Sequence, residues 1–227
     1  MKRRNKLSIY RLALISCLVV LMISCKKNDD SESVTDADGN KYKTVVIGNQ
    51  TWMAENLRTT TFQDGTAINL VTDNTAWSYS GAAYCWYGND QTTYEDFGIL
   101  YNYFAVAGSK NLCPDGWHIP SSDEWTTLID FAGGSTVAGS KLKESGTGHW
   151  FTPNSSENKY HFSATGGGMR DQFGLYDNLG ENCFYWTSTA YSIDKGWYTI
   201  LYYNNSSVLK NYWSKNAGFS VRCVKDN

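Results

Sequence analysis

Histidine is scarce in this chain: His118, His149 and His161 are the three present among 227 residues. None belongs to an H-x-x-x-H or H-E-x-x-H pair and no C-x-x-C occurs, so the sequence footprint of a zinc site is missing and no cofactor is expected. The one glycine-rich run, "ATGGGMRD" at 164–171, lacks the Lys-Ser/Thr of a phosphate-binding loop, and turn geometry accounts for its glycines. Past residue 24 no apolar run is long enough to compete for a membrane. Cationic charge is also short. Without its first 24 residues the chain keeps 15 Lys and Arg against 22 Asp and Glu, which argues against nucleic acid as a partner.

Those first 24 residues carry Lys2, Arg3, Arg4, Lys6 and Arg11 with no acidic residue, followed by an apolar run from Leu12 to Ile23. The run is about a dozen residues, shorter than the roughly 20 that cross a bilayer, so 1–24 reads as a cleaved secretory signal. Leu21, Met22, Ile23 and Ser24 before Cys25 resemble a bacterial lipobox, with Cys25 as the lipidated residue. A rival at Cys17 would leave "LVVLMIS" exposed on the mature chain. Residues 25–41, poor in large apolar side chains, read as a flexible tether. A lysine followed by acidic residues behind the lipidated Cys resembles the surface-export signal of Bacteroidota lipoproteins. The expected place is therefore the outer membrane, lipid-anchored and facing outward.

From Tyr42 onward the chain is long enough for one domain burying about 70% of its unfolded-chain surface. Four cysteines remain, Cys85, Cys113, Cys183 and Cys223, an even number in an exported chain. Disulfides are expected, and three connectivities are open, beside the alternative of four buried thiols. "TVVIGNQTW" reads as a β-hairpin turning at Gly48-Asn49. Tyr101, Phe104 and Ala105 are spaced for a short helix ahead of Gly108.

"LCPDGWHIPSSDEW", residues 112–125, packs Cys, His, Asp and Glu together and invites a catalytic reading. Ser121 and Glu124 instead form an S-x-x-E capping box. Trp125, Leu128, Ile129 and Ala132 follow at helical spacing, with Gly133-Gly134 as the stop. A second helix is expected over 137–143. From His161 on, short aromatic strands are broken by turn signals about every ten residues. "YDNLGEN", 176–182, offers oxygens of the kind Ca²⁺ takes, at a spacing foreign to an EF-hand. The class is α+β.

Nine Trp, 16 Tyr and nine Phe are more rings than one domain of this size can bury, so some stay at the surface. They concentrate between Trp197 and Trp213. Trp197, Tyr203, Tyr212 and Trp213 are the candidate binding surface, with Tyr203 and Tyr212 expected to be more exposed than Tyr202 and Trp213. The competing reading places Trp197, Ile200 or Leu201, and Val208 in the core.

"TVVIGNQTWMAENLRT", "YCWYGND", "FGILYNYFAV", "NLCPDGWHIPSSDEWTTL", "YWTSTAYS" and "YYNNSSVLKNYWSKNAGFSVRCVKD" together resemble the Fibrobacter succinogenes major paralogous domain of exported proteins of Bacteroidota and Fibrobacterota. The resemblance implies a relative of the C-type-lectin-like and formylglycine-generating-enzyme-like fold: two or three short helices on small twisted antiparallel sheets with long loops. It implies a Cys113–Cys223 pair and leaves Cys85 and Cys183 for each other. The chain has no E-P-N or Q-P-D tripeptide, and "YWTST" stands where W-N-D is expected, which argues against calcium-mediated sugar binding. No closely matched reactive Cys pair supports the oxidase chemistry of formylglycine-generating enzymes. The expected function is thus a non-catalytic binding or adhesion module for a glycan or protein ligand, with a structural component of a surface assembly as the alternative.

Overall fold

The computed structural model describes residues 32–79 and 81–227. The signal segment 1–24, Cys17, Cys25 and the first part of the tether lie outside the described residues. No helix among the described residues is long and apolar enough to cross a membrane.

The described residues form fourteen strands: β1 (Ser33–Thr35), β2 (Lys41–Ile47), β3 (Gln50–Met53), β4 (Asn69–Leu70), β5 (Ala83–Cys85), β6 (Leu100–Asn102), β7 (Trp117–His118), β8 (Gly167–Arg170), β9 (Tyr176–Leu179), β10 (Asn182–Ala190), β11 (Lys195–Tyr202), β12 (Val208–Ser214), β13 (Gly218–Phe219) and β14 (Val224–Lys225). The α-helices are α1 (Asn74–Ser78), α2 (Gln91–Tyr94), α3 (Tyr103–Val106), α4 (Ser122–Phe131) and α5 (Ala138–Leu142). One sheet runs β1-β2-β3-β14-β7. The other runs β12-β11-β10-β8-β13-β6-β5-β4, with β9 beside β8. Pairing is mostly antiparallel, β8–β10 and β4–β5 being parallel. The class is mixed α+β, strand-rich, with five short helices where two or three were expected.

Part of the expected tether is folded. "TDADGNK" closes the β1–β2 hairpin because Asp36 accepts the amides of Asp38 and Asn40 at 3.0 and 2.9 Å and the Tyr42 hydroxyl at 2.5 Å. Hydrogen bonds order this polar segment, a contribution that hydrophobicity does not register. Tyr101 belongs to strand β6, and the helix starts later because the Asn102 side chain caps α3 on the Ala105 amide. The β2–β3 turn falls as expected, with Gly48 at φ +64°.

Helix α4 follows its sequence signals. Ser121 Oγ accepts the Glu124 amide at 3.2 Å and Glu124 Oε2 accepts the Ser121 amide at 2.8 Å. Trp125, Leu128, Ile129 and Ala132 are buried, and Gly133 and Gly134 take positive φ. Trp125 lies 5.1 Å from Trp52 and 5.2 Å from Tyr185, centroid to centroid, in the core beneath the helix.

The catalytic-looking cluster is scaffolding. Cys113 is disulfide-bonded to Cys223, with Cα atoms 5.9 Å apart, the pairing that the resemblance implies. His118 bridges Glu124 (Nε2 to Oε1, 2.8 Å) and Asp226 (Nδ1 to Oδ1, 2.5 Å), clamping the C-terminus to α4. Burial disfavours the imidazolium, yet the hydrogen bonds to Asp226 and Glu124 outweigh it and raise its pKa. Burial likewise opposes ionised Glu124, while Ser121 and His118 hold its pKa below the usual value. The clamp therefore stabilises fully only above the carboxylate range and below about pH 6.5, and the His118 part is lost as pH rises through its raised pKa. The melting-temperature gap between wild type and His118→Gln should peak near pH 5 to 6.5 and narrow toward pH 8. The half-exposed ring limits the effect to about 1 kcal/mol. A gap growing with pH would reverse the assignment.

The expected Cys85–Cys183 bond does not form; both thiols are free and buried. Cys85 packs with Trp77 and Leu100, whereas Cys183 sits in the cluster of Trp125 and Tyr185. Burial raises both pKa values, Cys183 to about 12, so these are inert core thiols. The glycines of "ATGGGMRD" serve the turn geometry expected: Gly168 takes φ +61°, and a Cβ there would lie 2.5 Å from the Asp177 carbonyl. "YDNLGEN" is strand β9 and its turn into β10, with Asn178 at φ +63° and Gly180 at φ +73°.

Candidate functional site

Strands β10, β11 and β12 separate two cores by simple alternation. Tyr198 and Ile200 enter one hydrophobic cluster, Cys183, Tyr185, Leu201 and Val208 the other. The second side is covered by α4 as far as Lys210, whose ammonium donates to Thr126 Oγ1 at 2.5 Å. Trp197 and Tyr212 are register partners two residues further along, beyond that contact, and neither is fully buried.

Seven of the nine tryptophans are buried; the exceptions are Trp197 and Trp213. Trp197 meets the rings of Tyr191 and Tyr212 edge-on at 5.4 and 5.8 Å, and those two tyrosines stack at 3.7 Å with 8° between planes. The neighbouring Tyr212 phenol raises the Tyr191 pKa. Lys195 Nζ lies 5.2 Å from the Tyr212 centroid. Trp213 points to the opposite face, 37% exposed, and donates its Nε1–H to Gln172 Oε1 at 2.9 Å.

Gln172 ties this edge to neighbouring loops. Its carbonyl accepts the Ser78 hydroxyl at 2.8 Å, Asn216 Nδ2 donates to the Ser78 carbonyl at 2.6 Å, and Lys215 Nζ to that of Ile193 at 2.9 Å. Four loops are thus fastened into one surface. It carries Phe173 at 65%, Tyr79 at 86% and Ile193 at 95% exposure, apolar groups that no internal contact explains.

A second feature, a half-open cavity, lies elsewhere. Asn56, 4% exposed, joins four segments: its Nδ2 donates to the Phe97 carbonyl at 2.8 Å and Thr165 Oγ1 at 3.2 Å, and its Oδ1 accepts from Tyr185 at 2.8 Å and from Arg222 Nε at 3.1 Å. Arg222 is 1% exposed and has no carboxylate partner among the described residues. It donates instead to the carbonyls of Phe162 and Ser163 and lies over the rings of Phe162 and Tyr185 at 4.3 and 5.3 Å. Beside it is a cavity of about 220 Å³. His149 lines it, with Nδ1 2.7 Å from Glu144 Oε2.

A family model described as the Fibrobacter succinogenes major domain matches residues 45–225. The chain belongs to that family. No curated protein and no solved structure matches it. In this Fibrobacter succinogenes major domain the match begins within β2 and ends with β14, so it takes in both the ring-rich surface and the cavity.

Of the four candidate rings, Trp197 and Tyr212 come together, and Trp213 lies at the same strand end on the opposite face. Tyr203 does not. It lies at the far end of β11, beside Phe151 and Thr147 in a separate concavity. Tyr202 and Tyr203 are both half-buried, and Trp213 is more exposed than Tyr212, reversing the expected order in that pair. The reversal follows from Tyr212 being covered by Tyr191. Trp197 is half-buried, not core, whereas Ile200, Leu201 and Val208 are buried. Sequence reading missed Tyr191, Gln172 and the whole Asn56–Arg222 cavity.

Proposed function

We propose that this domain is a lipid-anchored, outer-membrane binding module of lectin-like design, non-catalytic, whose ligand docks at the end of the β11–β12 pair that carries Trp197, Tyr212 and Trp213. The observation that carries this reading is the sorting of tryptophans: seven enter the core, and the two left out lie at one end of the β11–β12 pair. A glycan or a protein could meet flat aromatic faces. Phe173 and Ile193 beside them favour protein, because aliphatic bulk adds desolvation rather than hydroxyl recognition. The outer-membrane anchor rests on the lipobox-like sequence ending at Cys25. A structural role in a surface assembly is the second reading, favoured by β12, an edge strand with backbone groups free to pair.

Trp213→Ala is expected to shift the melting temperature by no more than about 4 °C, since the ring is exposed and gives up one hydrogen bond. Its capture of ligand from a cell-envelope extract or a glycan array should fall roughly thirtyfold, the loss typical of an aromatic anchor. Undiminished capture by Trp213→Ala and Tyr191→Ala would reject this surface.

A further inference from the structure

The Asn56–Arg222 cavity shares no lining residue with the ring-rich surface and is built from different materials. Its floor is a guanidinium sealed from solvent and matched only by neutral acceptors. Such an ion is tolerated where hydrogen bonds fix it, and here they fix a strained segment as well. Asn158, His161 and Ser163 take φ of +43°, +55° and +55°, left-handed values uncommon outside glycine and least favoured here for Ser163. Asn158 holds the bend by bonding the Ser163 amide at 3.0 Å and hydroxyl at 2.9 Å, while Arg222 grips the carbonyls of Phe162 and Ser163. Strain kept in place by a buried ion beside a cavity marks a preorganised site.

The polar groups around the cavity say what it takes. Glu55 pairs with Arg58 at 3.3 Å and Glu144 with His149, so two of its three carboxylates are already matched. Asp96 has no hydrogen bond or ion pair among the described residues, and the second ring nitrogen of His149 has none either. The carboxylates of Glu55, Asp96 and Glu144 face the guanidiniums of Arg58 and Arg222, three negative charges against two positive, with the His149 ring beside them. An anionic ligand would meet that excess. A cationic one would meet two guanidiniums. Hydroxyl groups both donate and accept, so a neutral polyol matches this mixture of donors and acceptors. The volume is below the roughly 300 Å³ at which pockets for drug-sized molecules begin, which limits the ligand to a single small ring.

We propose that the cavity beside Asn56 and Arg222 binds a neutral polyhydroxylated ligand of monosaccharide size, with Asp96 and His149 as its free hydrogen-bonding groups. The test is saturation-transfer NMR on the mature protein with glucose, galactose, mannose and N-acetylglucosamine, and with glucuronate and glucosamine as charged counterparts. At least one neutral sugar should bind and outcompete its charged counterparts. Asp96→Asn, which keeps the shape, and Ala54→Leu, which adds bulk at the lining, should each weaken that sugar at least about tenfold while Trp213→Ala leaves it unchanged. The absence of transfer from every neutral sugar, a preference for a charged sugar, equal binding by both cavity variants, or loss in Trp213→Ala would each overturn the proposal. The last outcome would move the sugar to the aromatic surface and so tell the two sites apart.

Discussion

Asn56→Leu is expected to destabilise the domain by about 3 to 5 kcal/mol, the range for stripping one partner from a buried charge. Leu fills similar volume but removes the oxygen that accepts from Arg222 Nε and from the Tyr185 hydroxyl, both 2.8 to 3.1 Å away. It also removes the amide that holds the Phe97 carbonyl at 2.8 Å. The guanidinium cannot escape to water, being 1% exposed. Urea denaturation should show the loss as a lower midpoint at unchanged slope. Arg222→Met should be costly alone, yet the Asn56→Leu, Arg222→Met double variant should lose less than the two singles together, by roughly 0.5 to 3 kcal/mol of coupling. Additive losses, or an Asn56→Leu penalty below about 1 kcal/mol, would mean that the ion is stabilised by something other than this amide.

Local signals in the sequence reached as far as local physics does. Ser121, Glu124 and the Trp125–Ala132 spacing announced α4 because capping and amphipathicity act within a dozen residues. Asp36 shows the limit from the other side: the polar run reads as tether, yet one carboxylate accepting four donors folds it. The buried cations were beyond reach for a different reason. Lys143, Arg170 and Arg222 are each below 2% exposed, the first two held chiefly and Arg222 in part by backbone carbonyls, acceptors that every residue carries and no sequence pattern distinguishes. Lys143 donates to the carbonyls of Tyr202, Tyr203 and Asn205 at 2.7, 3.1 and 3.0 Å, while burial pulls its pKa down to about 8. Arg170 holds the carbonyls of Val71, Thr72 and Gly174 at 2.6, 2.9 and 3.0 Å. Such ions act as pins for long loops that have little helix or sheet of their own.

The ring-rich surface was legible as a surplus before it was legible as a place. Counting aromatics showed that some must stay outside; only the β11–β12 register put Trp197 opposite Tyr212 and sent Trp213 to the other face. Tyr191 was hidden because its stacking on Tyr212 bridges a turn and skips the intervening strand positions. The Asn56–Arg222 cavity left no sequence trace at all. Its lining is drawn from residues between 54 and 222, and neither spacing nor composition relates an Asn in "MAEN" to an Arg in "SVRC".

Breaking the Cys113–Cys223 bond should remove about 4 to 5 kcal/mol of stability in the chain-entropy account, because the loop it closes spans 110 residues and leaves the unfolded chain far freer. The bond joins the segment before β7 to the segment before β14, strands that pair directly, so the reduced protein keeps its contacts and loses mainly the constraint on the unfolded state. Cys113→Ser with Cys223→Ser should therefore fold at low temperature and melt early, and reduction of the wild type should give the same midpoint. That agreement is a strong requirement, because a reductant acts on every disulfide and the double variant on one. Cys85 and Cys183 provide the independent count. Maleimide labelling of the four domain cysteines should modify none in the native protein, two after unfolding in urea and four after unfolding with reductant. Zero labelled in urea would restore a Cys85–Cys183 bond, which would have to draw together two side chains now packed in separate clusters. A reduced wild type less stable than the double variant would point the same way.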